Sequence, residues 1–158
     1  MALVPKRASE SETEMVQVVL PNDANPLGFI LGGTVMHLID IAGAITAGRH
    51  SRSPVVTAAV DGLQFLHPIK VGDLIVLKAR ITCVFKTSIE VEVDVFSEQT
   101  VTGNRRLTSH AFLTFVAIGK DGQPVAVPDL ILETDEDRRV CGEAEARRAE
   151  RLARRPRS

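Results

Sequence analysis

Little in this sequence points toward a specialised environment. Its 158 residues carry 19 Lys and Arg against 20 Asp and Glu, a formal net charge of −1. There is no global attraction toward nucleic acid or an anionic membrane, so an anionic ligand has to be caught by a local basic patch. The two cysteines, Cys83 and Cys141, stand far apart without a CxxC or CxxH context, and no secretory signal pattern accompanies them. That argues against a disulfide framework and a zinc site, and for a reducing, cytoplasmic setting. No apolar run reaches the ~18 residues that a membrane span needs, because Gly, Asp, Arg and His interrupt every candidate. The phosphate loops GK[ST] and GxGxxG are missing, and so is the GxSxG elbow of a nucleophilic serine.

What is present fits one domain with tails. Residues 1–12 (MALVPKRASESE) are polar and aperiodic, and are expected to form a loose N-terminal tail. Residues 13–132 hold the periodic text, and 133–158 are dominated by Asp, Glu and Arg. In that last segment Thr134 precedes three acids, and Glu143/Arg147 and Glu150/Arg154 are four apart, which predicts a charged helix lying on a surface or a partner. Within the domain, residues 14–20 read as a strand, PNDANPLG (21–28) as a turn, and about 33–49 as a helix ended by Ser53-Pro54. After Pro54 the period changes to that of strands: VVTAAVDGLQFL, DLIVLKARITCVF, SIEVEVDVFSE and RRLTSHAFLTFVAI. One helix and about five strands make an α+β domain.

The strands sort their faces. In 74–85 the odd positions Ile75, Leu77, Ala79, Ile81, Cys83 and Phe85 are apolar, with Lys78, Arg80 and Thr82 opposite. In 89–95 Ile89, Val91, Val93 and Val95 are apolar, with Glu90, Glu92 and Asp94 facing away. A hairpin through Phe85, Lys86 and Thr87 would set Arg80 across from Glu92 and Lys78 across from Asp94, although a two-residue slip of register keeps the same faces. In 55–65 the apolar parity changes near Asp61-Gly62, which predicts a β-bulge. The helix is apolar on almost every side, so it has to be enclosed. A single antiparallel sheet curled around it is the simplest enclosure, and the strand edges and helix flank left over call for dimerisation.

Chemistry centres on NPLGFILGGTVMHLID (25–40). Asp40 has Met36, His37, Gly43 and Ala44 as its neighbours one turn away; no cation neutralises it within the helix, and Gly43 is read as leaving space beside it. It reads equally as a structural acid or as a pocket carboxylate whose basicity desolvation raises. Gly32 and Gly33 each cost the helix about 1 kcal/mol relative to Ala. They suggest either turn geometry or free N–H groups aimed at a carbonyl or an anion. Asn25 alone is a turn former. His37 could pair with Asp40, although a lone His on an apolar helix serves packing, and His50 and His67 form no metal-spaced cluster. Lys86-Thr87-Ser88 is a solvated turn or a set of phosphate donors.

In order along the chain, PNDANPLGFILGG, LIDIAGAI, VVTAAVDGLQFLHPIKVGD, KTSIEVEV and AFLTFVAIGKDGQPVAVP resemble the hotdog-fold acyl-CoA thioesterases with an Asp on the central helix, over roughly Met15 to Pro128. The resemblance implies a five-stranded antiparallel sheet wrapped around one long helix, in dimers with active sites across the interface, further assembled into hexamers. It implies hydrolysis of acyl-CoA to free CoA and a carboxylic acid, with Asp40 as base or nucleophile, Asn25 of the opposite subunit positioning water, and the Gly33 N–H polarising the carbonyl. It places coenzyme A contacts at Gly32, Thr57, Lys86, Thr87 and Ser88, with no metal and no cofactor beyond the coenzyme A of the substrate. Two departures stand out: Gly28-Phe29-Ile30-Leu31 bears on the acyl pocket, and Phe85-Lys86-Thr87-Ser88 has Lys where relatives carry Arg, keeping a cation without bidentate geometry. The rival readings are an acyl-CoA binding or sensing domain without turnover, and a hydratase or dehydratase of acyl thioesters built on a His with an acid.

Overall fold

The turn residues that punctuate the sequence fall where the chain reverses. The computed structural model describes residues 3–156, so the outermost two residues of each predicted tail lie outside the described residues. Its elements are β1 (Lys6–Arg7), β2 (Thr13–Val18), α1 (Gly32–Ser51), β3 (Val55–Phe65), β4 (Leu74–Val84), β5 (Ser88–Glu98), β6 (Arg105–Ala117), β7 (Leu130–Ile131) and α2 (Asp135–Ala153). Five of the strands form one antiparallel sheet in the order β2-β4-β5-β6-β3, and α1 packs along its inner face. This is the helix within a curled sheet that the resemblance implies.

The core follows from the alternation. Val91, Val93 and Val95 of β5 and Leu113 and Phe115 of β6 meet Val35, Leu38, Ile39 and Ala42 of α1, all buried. Gly43 does not leave space: a Cβ there would lie 2.9 Å from the Phe115 ring, so glycine is what lets helix and sheet approach. The other flank of α1 stays uncovered, with Met36 and Ile45 exposed.

Pairing of β4 with β5 has the expected register, Lys78 opposite Asp94 and Arg80 opposite Glu92. The charges nevertheless pair elsewhere: Arg80 with Glu12, and Glu92 with His110 at 2.8 Å. Strand β3 carries bulges between Thr57 and Ala59 and between Asp61 and Gln64, the second with Gly62 at φ +62°, as the parity change predicts.

Three expectations need correction. From Lys6 onward the N-terminal segment is packed: Lys6–Arg7 runs parallel to Leu130–Ile131, and Ala8 and Ser11 are buried. The Lys6 ammonium donates to the carbonyls of His50 (2.8 Å) and Arg49 (3.3 Å), a cation on the negative end of α1. Alternation predicts Cys83 on the inner face, but a bulge between Ile81 and Cys83 turns it outward. There it meets Cys141 of α2 with 4.7 Å between Cα atoms, in a disulfide that the sequence spacing gave no reason to expect. Finally, Arg147 ignores Glu143 and reaches the sheet. Helix α2, capped by Thr134 accepting from the Asp137 N–H at 3.0 Å, lies on the outer face as a surface helix should. It is held by buried Cys141 and Ala144, by Arg147 to the buried Glu90 (2.7 Å), and by Arg151 to Asp61 (2.7 Å).

Candidate active site

The turn before α1 is built by Asn25. Its side-chain carbonyl accepts from the N–H groups of Leu27 (2.9 Å) and Phe29 (3.2 Å), while its own N–H donates to the Phe29 carbonyl at 2.8 Å. With Oδ1 committed to the turn, the Nδ2 group is left as a donor with no partner among the described residues. This side chain lines a cavity of about 280 Å³ together with Phe29, Ile30, Gly32 and Phe65.

Helix α1 starts without a capping side chain, because Leu31 occupies the N-cap. The N–H groups of Thr34 and Val35 both turn back to the Leu31 carbonyl, at 3.0 and 3.1 Å. The amides of Gly32 and Gly33, one residue earlier in the first turn, have no intrahelical acceptor. A Cβ on Gly33 would meet nothing within 4 Å, so the space beside this residue at the positive end of the helix is open, whereas a Cβ on Gly32 would lie 3.5 Å from the Phe65 ring.

Asp40 sits two turns further along. Its Oδ1 accepts from the Thr57 hydroxyl at 2.5 Å, and Oδ2 has no partner among the described residues. Thr57 is on the inward-facing register of β3, opposite Phe115, which brings a strand hydroxyl onto a helix carboxylate. Around the pair, Met36, Ile39, Val60, Leu63 and Leu113 form an otherwise apolar cavity of about 260 Å³. A carboxylate oriented by one neutral donor in such a cavity, with no cation against it, is suited to accept a proton.

Of the residues singled out from the sequence, the structure joins Asp40 with Thr57 and joins Asn25 with Gly32, but the two groups line different cavities. Lys86 and Thr87 lie in the β4–β5 turn and Ser88 opens β5, and none of the three lines the Asp40 cavity. Thr87 and Ser88 line a groove of about 790 Å³ beneath the last turns of α2. His37 is exposed and makes no hydrogen bond among the described residues, so it does not pair with Asp40. The link from Thr57 to Asp40 is the contact that the sequence did not disclose; its one signal is the inward parity of Thr57 before the bulge.

Two further histidines have structural settings. Buried His50 donates from Nε2 to the Pro128 carbonyl at 2.7 Å, and burial holds its pKa below the ordinary value. His110 bonds Glu92 at 2.8 Å with Asp94 3.7 Å away, and the Glu92 hydrogen bond pushes its pKa up.

Residues 27–104 match the thioesterase superfamily. A Bacillus subtilis protein named as an uncharacterized acyl-CoA thioester hydrolase, YkhA, is 41% identical over 128 residues, covering 81% of this chain and 74% of its own. An apo-hexameric acyl-CoA thioesterase superposes with a TM-score of 0.90 at 39% identity, over 96% of this chain and 97% of that one. The Staphylococcus aureus acyl-CoA hydrolase in complex with butyryl coenzyme A, coenzyme A and coenzyme A disulfide superposes with a TM-score of 0.86 at 36% identity, over 94% and 91%. That enzyme has also been solved with an Asn, an Asp and a Thr each replaced by Ala, spaced 15 and then 17 residues apart. Asn25, Asp40 and Thr57 have the same spacing. The chain spans 40% of the length of the rat cytosolic acyl coenzyme A thioester hydrolase, to which it is 32% identical.

Proposed function

The chain belongs to the thioesterase superfamily, and from that premise we propose that it hydrolyses acyl-CoA to free CoA and a carboxylic acid. The observation that carries the reading is Asp40, held by Thr57 in an apolar cavity and free of any neutralising cation. Asp40 removes a proton from water as the water oxygen attacks the thioester carbonyl. The Gly33 N–H, at the positive end of α1, stabilises the oxyanion. Collapse of the tetrahedral species breaks the C–S bond, and the proton held by Asp40 goes to the departing CoA thiolate. Direct attack by the carboxylate, through a mixed anhydride, uses the same residues. Neither route needs a metal or a further cofactor.

One chain does not complete this site. Gly33 and Asp40 are seven residues apart on one helix, a rise of roughly 10 Å, too far to act on the same carbonyl and its attacking water. In our reading, Asp40 of one protomer works with Asn25 and Gly33 of another. The uncovered apolar flank, Met36 and Ile45 of α1 with Val56 and Val60 of edge strand β3, is what a second copy would cover. The hexameric relative supports further assembly into a trimer of dimers. A cytoplasmic setting accords with the relative named as cytosolic, and no helix among the described residues is long and apolar enough to cross a membrane.

The test is thiol release over a panel of acyl-CoAs, with Asp40→Asn as control. The variant should keep its circular dichroism and thermal midpoint and lose about 10²–10⁴ in kcat, the range of a general base. Near wild-type turnover by Asp40→Asn would sink the assignment. Binding of acyl-CoA without thiol release would favour the sensing domain, and loss of activity in His37→Ala would favour the hydratase.

A further inference from the structure

Asn25 is not the only polar side chain in its cavity with unused hydrogen-bonding capacity. Ser109 lies on β6 opposite Phe65 of β3 and Val95 of β5, in the inward parity of Ala111, Leu113 and Phe115. That brings it beside the first turn of α1, where it lines the same cavity of about 280 Å³ as Asn25, Gly32 and Val35. The residue is 2% exposed, yet its hydroxyl makes no hydrogen bond among the described residues. By contrast its buried neighbour Thr108 donates to the Val95 carbonyl at 3.0 Å. Packing alone would be served by alanine, which the same face carries two residues on at Ala111. A hydroxyl at this depth without a protein partner calls for one from a molecule that enters the cavity.

What that partner is follows from the donors and acceptors already placed. A water attacking the thioester carbonyl directs one lone pair at the carbon, gives one proton to Asp40, and takes the Asn25 Nδ2–H on its other lone pair. Its second O–H then needs an acceptor. Asn25 offers none, since Oδ1 holds the Leu27 and Phe29 N–H groups and Nδ2 only donates. Besides Asn25 and Ser109, the side chains lining the cavity are apolar except His67, and both His67 ring nitrogens lie within 3.1 Å of the Arg106 guanidinium. Among those side chains, the Ser109 oxygen is the acceptor that remains.

Resting on the thioesterase reading, with Asn25 and Asp40 brought together by two protomers, we propose that Ser109 is a further residue of the active site, its hydroxyl accepting from the attacking water that Asn25 holds. The bond turns the water's lone pair toward the carbonyl carbon and persists while Asp40 takes the other proton. Ser109 neither ionises nor bonds covalently, so its loss should slow the attack without changing how acyl-CoA binds. Steady-state thiol release from one acyl-CoA is compared for wild type, Ser109→Ala, Ser109→Cys and Ser109→Thr, with thermal midpoints alongside. Ser109→Ala removes the acceptor and Ser109→Cys replaces it with a weak one. Both should lower kcat about five- to tenfold, the scale of one neutral hydrogen bond, and leave KM unchanged. Ser109→Thr should retain most of the wild-type kcat, because it keeps the hydroxyl and threonine suits a strand. Wild-type kcat in the Ala and Cys variants, equal losses in all three, or a change confined to KM would each overturn the proposal. Should Ser109→Ala fail to fold, the near-isosteric Ser109→Cys decides. A wild type that releases no thiol would overturn the thioesterase reading and this proposal with it, whereas an active wild type with equally active Ser109 variants would overturn the proposal alone.

Discussion

Thr57 is the residue through which the position of Asp40 is most directly controlled. Its hydroxyl gives the carboxylate a donor at 2.5 Å, and no other side chain fixes that group among the described residues. Thr57→Val keeps the shape and removes the hydrogen bond. At ~1.5–3 kcal/mol for a bond to a charged group, kcat should fall roughly 10- to 100-fold. KM should change little, and Thr57→Ser should restore most of the activity, which a packing role for the methyl group would not produce. Wild-type kcat in Thr57→Val would remove Thr57 from the site. At this scale the sequence was informative where a residue breaks its own local pattern. Asp40 stands out as an acid without a cation on an apolar helix, and Gly32-Gly33 as glycines where a helix begins. It was uninformative where the partner comes from across the fold. Thr57 is matched to Asp40 by helix-on-sheet packing, and Gly43 takes its meaning from the Phe115 ring 2.9 Å from where its Cβ would be.

At the scale of elements, period and turn chemistry located α1 and the five long strands, and charge sorting gave the antiparallel β4–β5 pairing, while of the two registers with the same faces the structure has the one that sets Arg80 opposite Glu92. The two-residue strands β1 and β7 were not legible, since two residues carry no period and their pairing spans the chain. The bulge after Ile81 reverses the parity of Cys83 and Phe85, which is why alternation put them on the wrong face. The docking of α2 was hidden for another reason: what it buries is ionic. Glu90 sits with its side chain 2% exposed, bonded by Arg147 at 2.7 Å and by Thr82 at 2.6 Å, while the Arg147 guanidinium covers the Phe112 ring at 3.5 Å. Removing one partner leaves a buried charge, so Arg147→Met should cost about 3–5 kcal/mol. Adding Glu90→Gln should recover much of that loss, because an amide tolerates the same site without a charge. Chemical denaturation of the two variants measures this, and a near-neutral Arg147→Met would mean that the Cys83–Cys141 link, Ala144 and the Arg151–Asp61 pair hold α2 without the Arg147–Glu90 contact.

For the whole molecule, the decisive question is whether a site belongs to one chain or to two. Separate cavities for Asn25 and Asp40, and the roughly 10 Å between Gly33 and Asp40 along α1, make a self-contained site geometrically incomplete. This level was the least legible in residues 25–40, because a sequence lists the groups of a site without saying which copy supplies each. A symmetric dimer in which every site takes Asp40 from one protomer and Asn25 from the other makes a specific prediction. Asp40→Asn and Asn25→Ala homodimers should both be nearly inactive, each damaging both sites. Unfolded together and reassembled, or co-expressed, they form hybrids in which one site carries both substitutions and the other carries neither. Random pairing of equal amounts makes about half of the dimers hybrid, so about a quarter of the wild-type sites return, and activity should recover to that level. Thiol release should also grow with the product of the two variants' concentrations as their ratio is changed, while either alone stays flat. A site contained within one chain has no route to such recovery, so a mixture no more active than the two variants measured apart would rule out the shared site.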